Sequence, residues 1–204
     1  VNKPVIDLNG VTSKTLEIHK SLSILNLPPV TATINISGDI KSSTETDSGL
    51  SISESTTGSL NQVGIFTITY TATYTPSDGS PDITETATRT IHVVNPPVIN
   101  LSGIEEVALE VGGSISDLNL PPVTATFNGN PIGVVESGTV DPNVVGQYSL
   151  VYTSIYIPPD GSPHITSTAT RIFDITPSIA GDPYITSANG KVTKTPDKHG
   201  YYRL

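Results

Sequence analysis

The chain has 204 residues, a formal net charge of −9 at pH 7 and no Cys, Met or Trp. The lack of Cys excludes disulfides, Cys–zinc sites and thiol chemistry. An acidic chain is also a poor partner for nucleic acid or anionic lipid, because both need Lys and Arg to neutralise phosphate. No apolar run approaches 18 residues, so we expect no membrane insertion, and the missing Met predicts a piece of a longer chain.

The sequence contains two copies of one unit. Residues 25–33 recur letter for letter as 118–126, an offset of 93. A later block matches at an offset of 82, because Thr86-Ala87-Thr88-Arg89 recurs as Thr168-Ala169-Thr170-Arg171. The first copy therefore carries an insertion of 11 residues, the difference between the two offsets.

The repeat sets the predicted domain boundaries. We predict one domain over 1–95 and a second over 96–177, followed by a different segment over 178–204. The boundary is Val94-Asn95-Pro96-Pro97, where two prolines remove backbone donors and make a short, semi-rigid linker. The insertion falls in the Ser/Thr-rich stretch 37–59 and is expected to be a loop or extra edge strands.

Both copies show the period-two pattern of half-buried strands. In the first copy Phe66, Ile68 and Tyr70 alternate with threonines, and Ala87, Arg89 and Ile91 continue the pattern beyond a Gly-containing turn. Two such runs around a turn predict an antiparallel hairpin. Several short strands between Pro and Gly turns, without helical periodicity, predict an all-β fold of two tandem antiparallel β-sandwiches.

The residues resemble the bacterial immunoglobulin-like repeats of surface proteins. The resemblance covers 1–177 and rests on three features that occur in both copies. These are Gly64-x-Phe66-x-Ile68-x-Tyr70, Thr86-Ala87-Thr88-Arg89 and Pro4-Val5-Ile6-x-Leu8-x-Gly10, with Gly146-x-Tyr148-x-Leu150-x-Tyr152, Thr168 to Arg171 and Pro97 to Gly103 in the second copy. It implies Ig-like sandwiches and no catalytic residues. The segment Leu25-Asn26-Leu27-Pro28-Pro29-Val30 departs from the family, which usually has an Asp-Pro-Gly-Ala-type turn there.

The segment 178–204 differs from the repeats. Asn189-Gly190 is typical of a type I′ turn and predicts a short β-hairpin. Gly181-Asp182-Pro183-Tyr184, followed by Gly190-Lys191, resembles the opening of von Willebrand type D modules, although Tyr184 stands where that family has His. The segment is too small to bury its own core, so it is a possible start of a third module or an addition to another sheet.

Arg89 and Arg171 occupy equivalent positions on the core side of their strands. One hypothesis is that they bind a carboxylate or a glycan. The favoured hypothesis is a structural role, in which each stem lies on the core and each guanidinium pairs with a neighbouring carboxylate. Recurrence in both copies favours the structural role, because a recognition residue need not be duplicated.

The Asp-Gly-Ser-Pro segments are predicted to be structural turns. They contain Asp78 and Gly79 in the first copy and Asp160 and Gly161 in the second. Calcium binding is the alternative, but each turn offers one carboxylate and Ca²⁺ needs several oxygen ligands. We therefore expect no metal and no cofactor.

Other candidate sites are weaker. Asn35-Ile36-Ser37 and Asn100-Leu101-Ser102 match the N-glycosylation pattern, so Asn35 and Asn100 are possible glycosylation sites. A tyrosine stripe that includes Tyr70 and Tyr152 could stack sugars, but its spacing favours core packing. No nucleophile, zinc or phosphate-loop motif occurs, so we expect no enzyme activity.

The leading functional hypothesis is a structural or adhesive array that projects from a cell or virus-particle surface as a spacer, fibre or capsid-associated component. Its expected partners are other modules or copies of the same assembly, and its expected location is extracellular. Two alternatives stay open. One is a glycan- or protein-binding module that uses the loops at the sandwich ends, and the other is an accessory module of a secreted enzyme.

Overall fold

The computed structural model describes residues 2–178 and the backbone of two strands further along, Ile185–Ala188 and Lys191–Lys194. In the first copy the strands are β1 (Val5–Asp7), β2 (Ser13–Glu17), β3 (Thr31–Ile36), β4 (Asp39–Ser42), β5 (Leu50–Thr57), β6 (Gly64–Tyr74) and β7 (Ile83–Val94). In the second copy they are β8 (Val98–Asn100), β9 (Glu106–Glu110), β10 (Thr124–Phe127), β11 (Asn130–Ile132), β12 (Val135–Ser137), β13 (Gly146–Tyr156) and β14 (Ile165–Thr176). Short 3₁₀ helices lie at Leu22–Leu25 and Ile115–Leu118.

Each copy contributes a three-stranded and a four-stranded sheet. The first copy has the orders β1-β3-β4 and β2-β7-β6-β5, and the second has β11-β10-β8 and β12-β13-β14-β9. The prediction of an all-β, sandwich-like fold is confirmed. The sheets are mixed, however, because β2 runs parallel to β7 and β9 runs parallel to β14.

The parallel pairs follow from the path of the chain. In the first copy β1 pairs with β3 in one sheet, and the chain then crosses to the other sheet before β2 joins β7. After the crossing, β2 lies at the edge of the second sheet and runs parallel to β7. Among the described residues, this crossing has a counterpart between β8 and β9.

The hydrophobic core of the first copy lies between its two sheets. Ala32 and Ile34 of β3 pack with Leu50 and Ala72 of the other sheet. Along β6 the buried residues alternate with half-buried threonines, as the period-two pattern predicts. The predicted antiparallel hairpin is present, with Gly64–Tyr74 paired to Ile83–Val94.

The described chain divides into two compact units whose limits differ from those of the sequence repeat. The first holds residues up to Ile99 together with Thr124–Val134 and Thr153–Ser167. The second holds Asn100–Val123, Val135–Tyr152 and the residues from Thr168 onward. The domain limits 1–95 and 96–177 stay a prediction.

The insertion in the first copy forms strands as well as a loop. The stretch 37–59 contains β4, the connection 43–49 and all of β5. The corresponding connection in the second copy is only residues 133–134, between β11 and β12. The extra residues therefore lengthen two strands that follow one another in the chain but lie in different sheets, and the loop that joins them.

The segment after the repeats forms the predicted short β-hairpin, in which β15 (Ile185–Ala188) pairs antiparallel with β16 (Lys191–Lys194). The predicted turn at Asn189-Gly190 and the Gly181-Asp182-Pro183-Tyr184 motif lie outside the described residues. No helix in the part of the chain that the structure describes is long and apolar enough to cross a membrane.

Candidate functional site: the anchored turns and the Asp-Gly-Ser-Pro turns

The crossing between the sheets is a tight turn in both copies. In the first anchored turn (residues 8–11) the Val11 N–H donates to the Leu8 carbonyl at 3.2 Å. Its central residues, Asn9 and Gly10, have φ values of +52° and +74°, which Asn and Gly accept more readily than other residues. The Asp7 carboxylate accepts a hydrogen bond from the Asn9 N–H at 2.7 Å and so supports the turn.

The second anchored turn (residues 101–104) repeats this geometry. The Ile104 N–H donates to the Leu101 carbonyl at 3.2 Å, and Ser102 and Gly103 have φ values of +61° and +73°. Asn100 takes the place of the carboxylate, because its Oδ1 accepts from the Ser102 N–H at 2.7 Å. Equivalent residues therefore form equivalent turns although the side chains differ.

Arg89 lies beneath the first anchored turn with only 2% of its surface exposed. Its Nε donates to the Val11 carbonyl at 3.0 Å, and its Nη2 donates to the carbonyls of Leu8 and Pro28 at 2.8 Å each. Its Nη1 donates to the Tyr70 hydroxyl at 3.3 Å, and Cζ lies 5.4 Å from the centre of the Tyr70 ring. The guanidinium thus ties the turn, the Pro28 segment and β6 together.

Arg171 makes the matching two bonds to the carbonyls of the second anchored turn and is 3% exposed. Its Nε donates to the Ile104 carbonyl at 2.8 Å and its Nη2 to the Leu101 carbonyl at 3.0 Å. Cζ lies 5.7 Å from the centre of the Tyr152 ring. Burial and the nearby Glu136 carboxylate raise the pKa of the Tyr152 hydroxyl, and Arg171 opposes them.

The partners of the two arginines differ from the expectation. The sequence predicted a neighbouring carboxylate, whereas the observed acceptors are backbone carbonyls and, for Arg89, a tyrosine hydroxyl. Carbonyl dipoles and a ring face solvate the buried charge in place of a counter-ion. These donors already have acceptors within the protein, which argues against the alternative of a ligand carboxylate.

The segment that departs from the Ig-like family supplies one of these carbonyls. The 3₁₀ helix Leu22–Leu25 ends at Asn26, which adopts a left-handed conformation with φ +46°. Pro28 and Pro29 then extend the chain, and the Pro28 carbonyl meets Arg89. The second copy has the same ending, with Asn119 at φ +46° after Ile115–Leu118.

The Asp78 turn (residues 78–81) is exposed. The Ser80 N–H donates to Asp78 Oδ1 at 2.9 Å, and Gly79 has a φ of +80°. The hydrogen bonds from the Ser80 backbone and side chain lower the pKa of the Asp78 carboxyl. This carboxylate therefore holds its own turn.

The Asp160 turn (residues 160–163) has the same internal bond, since the Ser162 N–H donates to Asp160 Oδ1 at 2.9 Å. It also contacts β2 within the first compact unit. Thr15 Oγ1 donates to Asp160 Oδ2 at 2.7 Å, the Thr15 N–H donates to Ser162 Oγ at 2.8 Å, and Lys14 Nζ donates to the Asp160 carbonyl at 2.6 Å. We call this set of three bonds the clasp.

The environment of the clasp shifts the pKa of Asp160 downward. Partial burial raises the pKa, but the hydrogen bonds from Ser162 and Thr15 and the charge of Lys14 outweigh it. The ionised carboxylate is therefore the form that the clasp favours. The sequence predicts a structural turn at Asp160 but not its contact with β2, because no local pattern shows which strand a turn will meet.

The remaining candidates do not converge on a site. Asn35 and Asn100 are exposed, and their side-chain oxygens accept from the backbone N–H groups of Gly38 and Ser102. Their glycosylation stays a prediction. Among the described residues no group of three or more His, Asp or Glu side chains could hold a metal ion. Within the same residues every buried side-chain nitrogen or oxygen has a hydrogen-bond partner.

Neither a protein-family profile nor a curated protein sequence matches the chain. Among solved structures, the lipoprotein BT2262 from Bacteroides thetaiotaomicron is 30% identical, with a TM-score of 0.32, over 40% of this chain and 38% of that one. BT4661, a SusE-like surface-located polysaccharide-binding protein of the same organism, is 13% identical, with a TM-score of 0.28, over 85% of this chain and 34% of that one. The chain thus spans only 38% and 34% of the lengths of these two proteins.

Proposed function

We propose that the chain is a non-enzymatic structural spacer, part of a tandem Ig-like array exposed on a cell or virus-particle surface. The observation that carries this proposal is the duplicated anchored turn. In each copy one buried arginine uses its donors on the carbonyls of the sheet crossing. Polar groups duplicated in this way serve the fold of each copy rather than one recognition site.

The surface chemistry supports the same function. The chain carries 19 Asp and Glu against 10 Lys and Arg, and its exposed strand faces are rich in Ser and Thr, as along β5. A net negative, hydroxyl-rich surface keeps a protein soluble and opposes non-specific association. These properties suit a module that separates other modules.

Single-molecule extension of the full chain tests the spacer function. We expect two force peaks, one for each copy, each releasing on the order of 300 Å of chain at about 3.3–3.6 Å per residue. Arg89→Ala should lower the first-copy peak and leave the second unchanged, and Arg171→Ala should do the reverse. Extension at low force without discrete peaks would contradict a spacer built from two stably folded copies.

The binding-module alternative has one observation in its favour, because the connection 43–49 has no equivalent of its length in the second copy. A glycan array probed with the intact chain tests it, with a variant in which Gly-Val, the counterpart of Gly133-Val134, replaces residues 43–49. This replacement keeps Leu50, which is only 6% exposed and belongs to the core. Saturable binding that the shortened variant loses would favour the alternative over the spacer, whereas an array without signal supports the spacer.

A further inference from the structure

The chain contains the Asp-Gly-Ser-Pro turn in two different settings. Both turns have the same internal Ser-to-Asp bond of 2.9 Å and the same Gly-to-Pro bond of 3.4 Å, from Gly79 to Pro76 and from Gly161 to Pro158. The Asp160 turn is engaged in the clasp, and Ser162 is only 6% exposed. Residues 78–81 of the Asp78 turn are exposed.

The clasp shows which groups such a turn binds. The turn binds the open edge of a strand, because the Thr15 N–H points away from β7 and donates to Ser162 Oγ. The Thr15 hydroxyl binds the second carboxylate oxygen of Asp160, and the Lys14 ammonium binds the Asp160 carbonyl. A Lys-Thr pair on an edge strand therefore matches three acceptors of the turn at once.

The Asp78 turn presents the same acceptors to solvent. Asp78 Oδ1 is used internally by Ser80, as Asp160 Oδ1 is by Ser162. Its Oδ2, its carbonyl and the Ser80 hydroxyl correspond to the three groups that the clasp uses. Lys14 and Thr15 of the same chain already contact the Asp160 turn, so they are not its target.

The edge strand of the second copy is a poor target. At the repeat offset of 93, Lys14 and Thr15 correspond to Val107 and Ala108. Val107 is buried and Ala108 lacks a hydroxyl, so β9 offers neither the ammonium nor the hydroxyl of the clasp. The sequence therefore restricts the partner to a strand of the β2 type.

We propose that the Asp78 turn is a docking element for the β2-type edge strand, with its Lys-Thr pair, of a further Ig-like repeat placed ahead of the first copy. The inference rests on the proposed array in that it requires a further repeat. The clasp joins consecutive repeats by the same turn and the same strand edge. The Asp78 turn would bind the preceding repeat as the Asp160 turn binds the first.

A three-repeat protein tests this proposal. Residues 1–96 are fused ahead of Pro4 of the full chain, so that the new junction reads Asn95-Pro96-Pro4-Val5 and reproduces the native Asn95-Pro96-Pro97-Val98. Hydrogen exchange followed by NMR then reports the Thr15 N–H of the added copy and that of the original copy separately. The original copy retains its clasp with Asp160 and serves as the internal reference.

Two paired variants separate the contacts. Asp78→Ala with Ser80→Ala in the original copy should speed exchange of the added copy's Thr15 N–H by about tenfold and leave the other Thr15 unchanged. Asp160→Ala with Ser162→Ala should have the opposite selectivity. The proposal is overturned if the first pair leaves exchange in the added copy unchanged, or if the second pair shows that the reference Thr15 is not protected by the clasp. Glycan binding would refute the spacer function without altering these exchange rates.

Discussion

Replacing Arg89 by Ala should destabilise the first copy by about 4 kcal/mol. The lost stem contributes a little under 2 kcal/mol, at about 0.8 kcal/mol for each of the two buried methylenes, Cγ and Cδ, that Ala lacks. The carbonyls of Leu8, Val11 and Pro28 then lose a charged donor. A buried carbonyl left unpaired costs about 1–3 kcal/mol, and relief of the arginine's own desolvation offsets part of this sum.

Urea unfolding followed by far-UV circular dichroism and amide NMR measures the change, with the first-copy amides reporting the first copy separately. Arg89→Lys keeps the charge but cannot reach three acceptors from one ammonium, so it should recover about half of the loss. Arg171→Ala is the matched variant and should cost about 3 kcal/mol in the second copy, where Leu101 and Ile104 are the carbonyl partners. A loss below about 1 kcal/mol for Arg89→Ala would refute the reasoning.

Three further expectations concern Gly10, Leu16 and Asp160, and their effects on stability are tested with the same unfolding measurement. Gly10→Ala should cost about 1 kcal/mol because its φ is +74°, whereas Gly133→Ala, with open space around the new Cβ, should be nearly neutral; equal effects would contradict the turn geometry. Leu16→Ala should cost about 3 kcal/mol, since Leu16 is 1% exposed in the core, and a neutral result would contradict its burial. The lowered pKa of Asp160 stabilises the fold above the ordinary Asp pKa, and this contribution is lost as pH falls through the folded value. Thr15→Ala should raise the Asp160 pKa in an NMR titration, and an unchanged pKa would contradict the clasp.

The sequence was sufficient to predict the all-β fold and the hairpin of β6 and β7. Period-two alternation identifies these strands directly, and the core-side position of Arg89 follows from the same parity. Because the sequence is repeated, the pattern in one copy supports the strand predicted at the equivalent position of the other. Local residue patterns and their duplication are therefore enough to predict most of the strands.

The partners of polar groups could not be read from the sequence, because they depend on contacts far apart in the chain. Arg89 meets Leu8 and Pro28, which lie 81 and 61 residues away. A nearby carboxylate is the common partner of a buried arginine. Here the chain crosses between the sheets above the arginine, and the backbone carbonyls of that crossing accept its hydrogen bonds instead. The parallel direction of β2 depends on that same crossing.

The Asp160 turn shows the same limit at the candidate site. Its sequence is identical to that of the Asp78 turn over four residues, yet only one of the two is engaged in a clasp. The difference arises from Lys14 and Thr15, which lie 146 and 145 residues from Asp160. A turn motif fixes its own geometry but not the strand that it contacts.

Hydrogen exchange at the two arginine side chains tests most directly whether these duplicated polar groups hold the fold of each copy. The Nε–H groups of Arg89 and Arg171 can be followed by NMR in the intact chain, each bonded to a turn carbonyl. We predict that both exchange only as fast as the core amides of their own copy, in step with unfolding. Exchange at the rate of a free arginine for either side chain, while the core amides stay protected, would contradict the account.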